Sequence, residues 1–170
     1  MTAKRLTRTA LFGAVALIVF LVENAFPPLM SFAPGAKLGL SNAVVFLAIM
    51  MLGYTDAFAV LLIKLTLGSV FSGNVAALMY SAPAGIASFA VMALLYRFAF
   101  DRIGIPSISL FAAVVFNAVQ LGIAGAISGV NLMGLLPVML VAGVLAGFTV
   151  GLICWLTVRY IPEKILFSAR

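Results

Sequence analysis

Histidine is absent from the 170-residue chain, cysteine occurs once and acidic side chains only four times. Without histidine and with Cys154 alone, one chain holds no disulfide, no Cys/His metal site and no Cys–His nucleophile pair. Cys154 lies inside an apolar run and reads as packing. The acids are Glu23, Asp56, Asp101 and Glu163. The last three fall beside helix ends, far from Glu23, so no pair suits general acid–base work and no aspartate cluster suits magnesium diphosphate chemistry. A phosphate-cradling GxxxxGK[ST] is also missing. No catalytic residue, metal or cofactor is therefore expected, and the chain reads as a non-enzyme.

Charge of either sign is scarce. Charged residues make up 8% of the chain and hydrophobic ones 65%, with a mean hydropathy of +1.29. Soluble domains run at about 45–50% apolar and about 25% charged. A core cannot absorb such an excess, so lipid is the solvent for most of the surface and the expected fold is an all-α integral membrane bundle. The net charge of +6 does not indicate nucleic acid, because the basic residues flank apolar runs and form no aromatic-interleaved patch.

About 20 apolar residues cross the hydrocarbon as a helix, which predicts six transmembrane helices in a single domain over residues 1–170. They cover Thr9–Phe26, Leu38–Gly53, Ala57–Phe71, Val75–Phe98, Ile108–Ala126 and Leu135–Tyr160. The basic start of the first imitates a secretory signal but lacks a convincing cleavage site, so it reads as a retained span. With both termini cytoplasmic, Lys4, Arg5, Arg8, Arg97, Arg102, Arg159, Lys164 and Arg170 all fall inside, as the positive-inside rule asks. Only Lys37 falls outside, and Lys64 lies within the third span.

Polar residues inside the spans are few. Lys64 is near mid-depth, where a charge costs about 2.5–3.5 kcal/mol on insertion scales. Glu23, Asn42, Asn117 and Gln120 sit between the midplane and the outside, which suggests a polar cavity opening outward. A structural Glu23–Lys64 ion pair with the amides as interhelical glue is the plainer alternative. Ala10, Gly13 and Ala14 form a small-residue face on the first helix, and Glu23 projects nearly opposite to Ala10 and Ala14. Gly143, Gly147 and Gly151 give overlapping GxxxG spacings, and Ala77, Ser81, Ala84 and Ser88 line one face of the fourth helix; both stripes read as packing. The segment from Phe26 to Asn42 holds Pro27, Pro28, Pro34 and Lys37. It reads as a stiff external loop, with Lys37 either a ligand contact or a snorkelling anchor.

"PGAKLGLSNAVVFLAIMMLG" and the following "IKLTLGSVFSG" resemble the Gx transporter family, also labelled heptaprenyl diphosphate synthase component I. The six-helix size and the Ala10/Ala14 patch resemble, more broadly, the S components of energy-coupling factor (ECF) importers of bacterial plasma membranes. That resemblance implies capture of a vitamin-like micronutrient from outside and docking on a coupling protein served by two ATPases. Ala10, Gly13 and Ala14 would then dock, residues 27–37 would form a lid, and Glu23, Lys37, Asn42, Lys64, Asn117 and Gln120 would line the ligand site. The cations favour an anionic or carboxylate-bearing ligand. The synthase label fits poorly with the missing prenyl-transfer residues. Two other functions compete: a non-transporting scaffold for a quinone-side-chain or flavin-related enzyme, and a small secondary transporter relaying ions through Glu23 and Lys64.

Overall fold

The computed structural model describes residues 3–25, 39–73 and 75–161. Six helices carry them: α1 (Ala3–Ala25), α2 (Leu40–Leu52), α3 (Tyr54–Phe71), α4 (Leu78–Phe98), α5 (Phe100–Ser128) and α6 (Leu136–Tyr160). One-turn 3-10 segments precede α4 and α6, and there is no strand among the described residues. Five helical segments are long and apolar enough to cross a membrane. The sixth, α2, has 13 residues and so rises only about 20 Å against about 30 Å of hydrocarbon.

Contacts set the directions. Arg5 meets Asp56, Gly13 faces Ile63 and Phe20 faces Gly68, so α1 and α3 run parallel in register. Pro106 meets Gly151, Leu110 meets Gly147 and Asn117 meets Gly143, so α5 and α6 run antiparallel. Gly85 against Leu65 and Leu61, with Phe89 against Phe58 at 5.5 Å, pairs α4 antiparallel with α3. In this arrangement α2 is the most enclosed element. Val45, Phe46, Ala48, Ile49 and Met50 are at most 1% exposed, and Phe46 stacks edge-on with Tyr96 of α4 at 6.2 Å. Large apolar side chains such as Leu11, Ile18, Phe98, Val141 and Phe148 point outward, as lipid-facing positions must.

Every helix start differs from its sequence-based bound, most in α5 (Phe100, not Ile108) and α1 (Ala3, not Thr9); two of the differences have a visible local cause. The stretch "FDRIGIPS", expected as a connector, is helical from Phe100, with a break at Gly104 (φ 68°, ψ 174°). Pro106 then falls in the first turn after the break, where its missing N–H costs nothing. The other is the α2–α3 junction, made by Gly53 alone (φ 93°, ψ 173°): its N–H donates to the Ala48 carbonyl and its carbonyl accepts from Ala57. A residue with a Cβ is strained at that φ.

The α5–α6 seam is the tightest interface. A Cβ on Gly151 would sit 2.5 Å from Pro106 Cα, one on Gly147 2.7 Å from Leu110 Cα, and one on Gly143 2.6 Å from the Asn117 amide nitrogen. The GxxxG stripe thus packs backbone on backbone. The fourth-helix stripe also faces inward at Ala84 and Ser88, beside an exposed Pro83.

Gly151→Ala should lower the thermal unfolding midpoint of the detergent-solubilised protein, with an overpacking cost of about 1–3 kcal/mol. Gly122→Ala, on the same seam's helix but with nothing within 4 Å of its added Cβ, should leave the midpoint unchanged or raised.

Candidate functional site at the start of α2

A helix start leaves its first N–H groups without intrahelical partners. In α2 the N-cap is Gly39, which has no side chain to offer. The cap comes instead from another helix: the Gly39 and Leu40 N–H groups both donate to Oε1 of Glu23 on α1, the second at 3.4 Å. A carboxylate there also meets the positive end of the α2 dipole. From the opposite flank, Lys64 of α3 donates its ammonium to Oδ1 of Asn42, in the first turn of α2, at 2.5 Å. Lys64 is 4% exposed. A cation placed directly on those amides would be repelled; the Asn42 carbonyl oxygen holds it one step away. Three helices therefore meet through polar groups on one turn of backbone.

The remaining site residues of the sequence reading separate. Asn117 is buried on the α5–α6 seam and donates to the Met139 carbonyl at 2.8 Å. Its amide nitrogen is committed to the α5–α6 seam, apart from the turn that Glu23 and Lys64 reach. The neighbouring Gln120 keeps a buried Oε1 with no hydrogen-bond partner. Lys37 and the loop 27–37 lie outside the described residues. On the first helix Ala10 and Ala14 are exposed, while Glu23 turns toward α2. Gly13 is not part of the outward face. It is buried, and a Cβ there would lie 3.0 Å from Ile63 Cδ1. Its small size serves close approach of α3, a correction forced by the 100° step between Gly13 and Ala14.

A second polar group ties the other end of α1. Arg5 Nε donates to both Asp56 oxygens at 2.9 and 2.7 Å, and Nη2 donates to Thr55 Oγ1 at 2.7 Å. Asp56 is 2% exposed and lies in the first turn of α3, where the dipole favours an anion. Sequence reasoning missed both this pair and the Glu23 cap. The available signals were a lone acid, Asp56, opening α3 at the end where the basic residues gather, and a helix start, "GLSN", whose cap residue is a glycine.

Removing Asn42 while Lys64 stays should be worse than removing both. Asn42→Leu should lower the unfolding free energy by about 1.5–3 kcal/mol, the worth of a hydrogen bond to a charged group. Adding Lys64→Met should restore part of that loss, because the buried charge whose bond to Asn42 was removed is then gone. A double-mutant cycle in detergent, followed by thermal unfolding, reads the difference.

Comparisons with curated proteins and with solved structures return no match. The family model for heptaprenyl diphosphate synthase component I matches residues 12–156. That span takes in the Glu23–Asn42–Lys64 cluster, the Asp56 turn and the α5–α6 glycine seam, and the chain, a multi-pass helical membrane protein, belongs to that family.

Proposed function

We propose that the chain is the solute-binding membrane subunit of an ECF-type importer in a bacterial plasma membrane, with both termini cytoplasmic and no catalytic activity of its own. The observation that carries the reading is the start of α2. Irregular backbone at membrane depth is tolerated where it is buried in protein or lines a cavity, and half-helix starts with convergent polar side chains are a recurrent form of solute site in transporters. Here the break is furnished with Glu23, Asn42 and Lys64.

The outward face of α1 supports the second half of the reading. Ala10 and Ala14 are exposed on the helix that also carries Glu23, so a small, close-approach surface and the solute site share one rigid element. The partner is a coupling protein with two ATPases, and the cargo a vitamin-like micronutrient. Two of the four acids have structural partners: Glu23 caps α2 and Asp56 pairs with Arg5. The family's description favours a second reading, a membrane scaffold for a prenyl diphosphate synthase, in which the same α1 face binds the enzyme.

Ala14→Leu separates the readings. Affinity capture of the wild type from its native membrane should yield a coupling protein and two ATPases, identified by mass spectrometry, and the variant should lose them while unfolding at the same temperature. Recovery of a prenyl-transferring enzyme in their place would favour the scaffold. Solute uptake into liposomes by the isolated subunit, without ATPases, would favour an ion-coupled carrier using Glu23 and Lys64.

A further inference from the structure

We propose that the cavity at the end of α5 remote from Arg102 holds the primary ammonium head of a phospholipid. It is separate from the start of α2 and independent of the solute-binding reading. The chain folds back at Gly129, which is left-handed (φ 68°). Residues 130–132 then return beside the end of α5, where Leu132 packs with Leu121, before the 3-10 turn Met133–Leu135. Between them lies a cavity of about 380 Å³, lined by Gly122, Gly125 and Ala126 of α5 and by Val130, Asn131 and Met133 of the returning chain. That volume is in the range of small-ligand sites. Glycine opens it. A Cβ on Gly122 or Gly129 would meet nothing within 4 Å. Gly147 and Gly151 of the seam would meet backbone at 2.7 and 2.5 Å, so close helix packing explains those glycines and not Gly122.

Depth indicates what fills it. Arg102 is exposed at the opposite end of α5, and the cost of a charge in lipid keeps it at the hydrocarbon boundary. At 1.5 Å per residue, Gly125 lies about 35 Å further along the helix. The hydrocarbon is about 30 Å thick, and the headgroup layers bring the bilayer to about 40–45 Å. The cavity therefore opens among headgroups. Val130 and Met133 are 57% and 58% exposed, an apolar rim that suits the glycerol–acyl junction of a lipid.

The lining chemistry selects the head. No charged residue occurs from Ile103 to Val158. The last carbonyls of a helix lack intrahelical partners and carry its negative end, and α5 has no basic residue in its last turn. Ser128 Oγ donates to the Ala124 and Gly125 carbonyls at 2.8 and 3.4 Å, a neutral donor that leaves the charge of that end unanswered. The Val130 carbonyl oxygen adds an acceptor, 3.3 Å from where a Gly125 Cβ would be. An ammonium brings both the positive charge and three N–H donors. Asn131, whose Oδ1 accepts from the Met133 N–H at 3.0 Å, is the one polar side chain among the lining residues, and its NH2 group matches a phosphate oxygen. A choline head has no N–H to give, and a phosphatidylglycerol head brings an anion to the negative end.

Native mass spectrometry of the purified full chain in detergent tests this, with phosphatidylethanolamine, phosphatidylcholine and phosphatidylglycerol of matched acyl chains added in equal amounts. The expected result is retention of phosphatidylethanolamine over each of the others by about fivefold, the ratio a favourable charge–dipole contact gives. Gly122→Leu fills the cavity, and Met133→Lys places a tethered ammonium at its rim. Each should abolish the preference while the unfolding midpoint without added lipid stays that of the wild type. Should Gly122→Leu unfold early, Met133→Lys, at an exposed position, decides alone. Equal retention of the three lipids, preference for phosphatidylglycerol, or a phosphatidylethanolamine preference that survives Met133→Lys would overturn the inference. Thermal stabilisation by free ethanolamine with no preference among the lipids would overturn it too, and would assign the cavity to a soluble amine.

Discussion

The bonds from the Gly39 and Leu40 amides to Glu23 are the constraint on which the first half of the bundle depends. A helix of 13 residues cannot cross the hydrocarbon, so one of its ends must lie inside the protein. That end exposes N–H groups that lipid cannot satisfy. Glu23 supplies the acceptor, and in doing so fixes α1 against α2. Lys64 reaches the same turn through Asn42 and fixes α3. Arg5 and Asp56 then join α1 to α3 at the far end. The three helices form a closed polar frame in which each charge answers a local need: an orphan helix start, a buried cation, a second helix start.

The other half is held by shape. Along α5 and α6, glycines bring backbone within contact of backbone, and Asn117 adds one interhelical bond to the Met139 carbonyl. Here dispersion over a close seam does what ion pairs do on the α1–α3 side. The apolar body of α2 mediates between the halves. Phe46 meets Tyr96 of α4, and the Cys154 thiol of α6 lies 3.5 Å from the Ala43 carbonyl. A frame fixed by a few directional bonds and a slab fixed by many weak contacts differ in how they respond to change. Losing one directional partner weakens the hold on a buried charge, whereas the seam yields when volume is added.

Helix number, order and most bounds were legible in the sequence because the hydrocarbon imposes a length and the basic flanks punctuate it. The packing role of Gly143, Gly147 and Gly151 was legible for the same reason: backbone approach needs residues without side chains at that spacing. The Phe100 turn was not, since "GIP" carries every sign of a connector and only the left-handed Gly104 lets helix resume. The role of Glu23 was half legible. Its depth and direction follow from the 100° step, but its partner is a backbone 16 residues further on, and no pattern of side chains announces a backbone partner. Asn117 shows the converse. Its depth matched that of Asn42, yet its neighbour on α6 is a glycine, and that vacancy draws the amide into the seam.

Glu23 and the exposed Ala10 and Ala14 occupy opposite faces of one continuous helix. Because α1 is keyed to α3 at Gly13–Ile63, Phe20–Gly68 and Arg5–Asp56, it cannot shift at one end without carrying α3, and with it Lys64. A solute bonded to Glu23 and Asn42 would add a further bridge between α1 and α2 inside that frame. A partner seated on the outward face would act on the same helix from the lipid side. Neither ligand can influence the other unless it binds two arrangements of the frame with different affinity. The frame offers a definite place for such a difference: the angle between α1 and the start of α2, set by one carboxylate and the first amides of a helix too short to cross alone. An arrangement that loosens this cap exposes unpaired amides, so it is disfavoured in lipid unless a solute or water takes Glu23's place. The physical cost of a short helix thus ties the angle between α1 and α2 to the cap that Glu23 supplies.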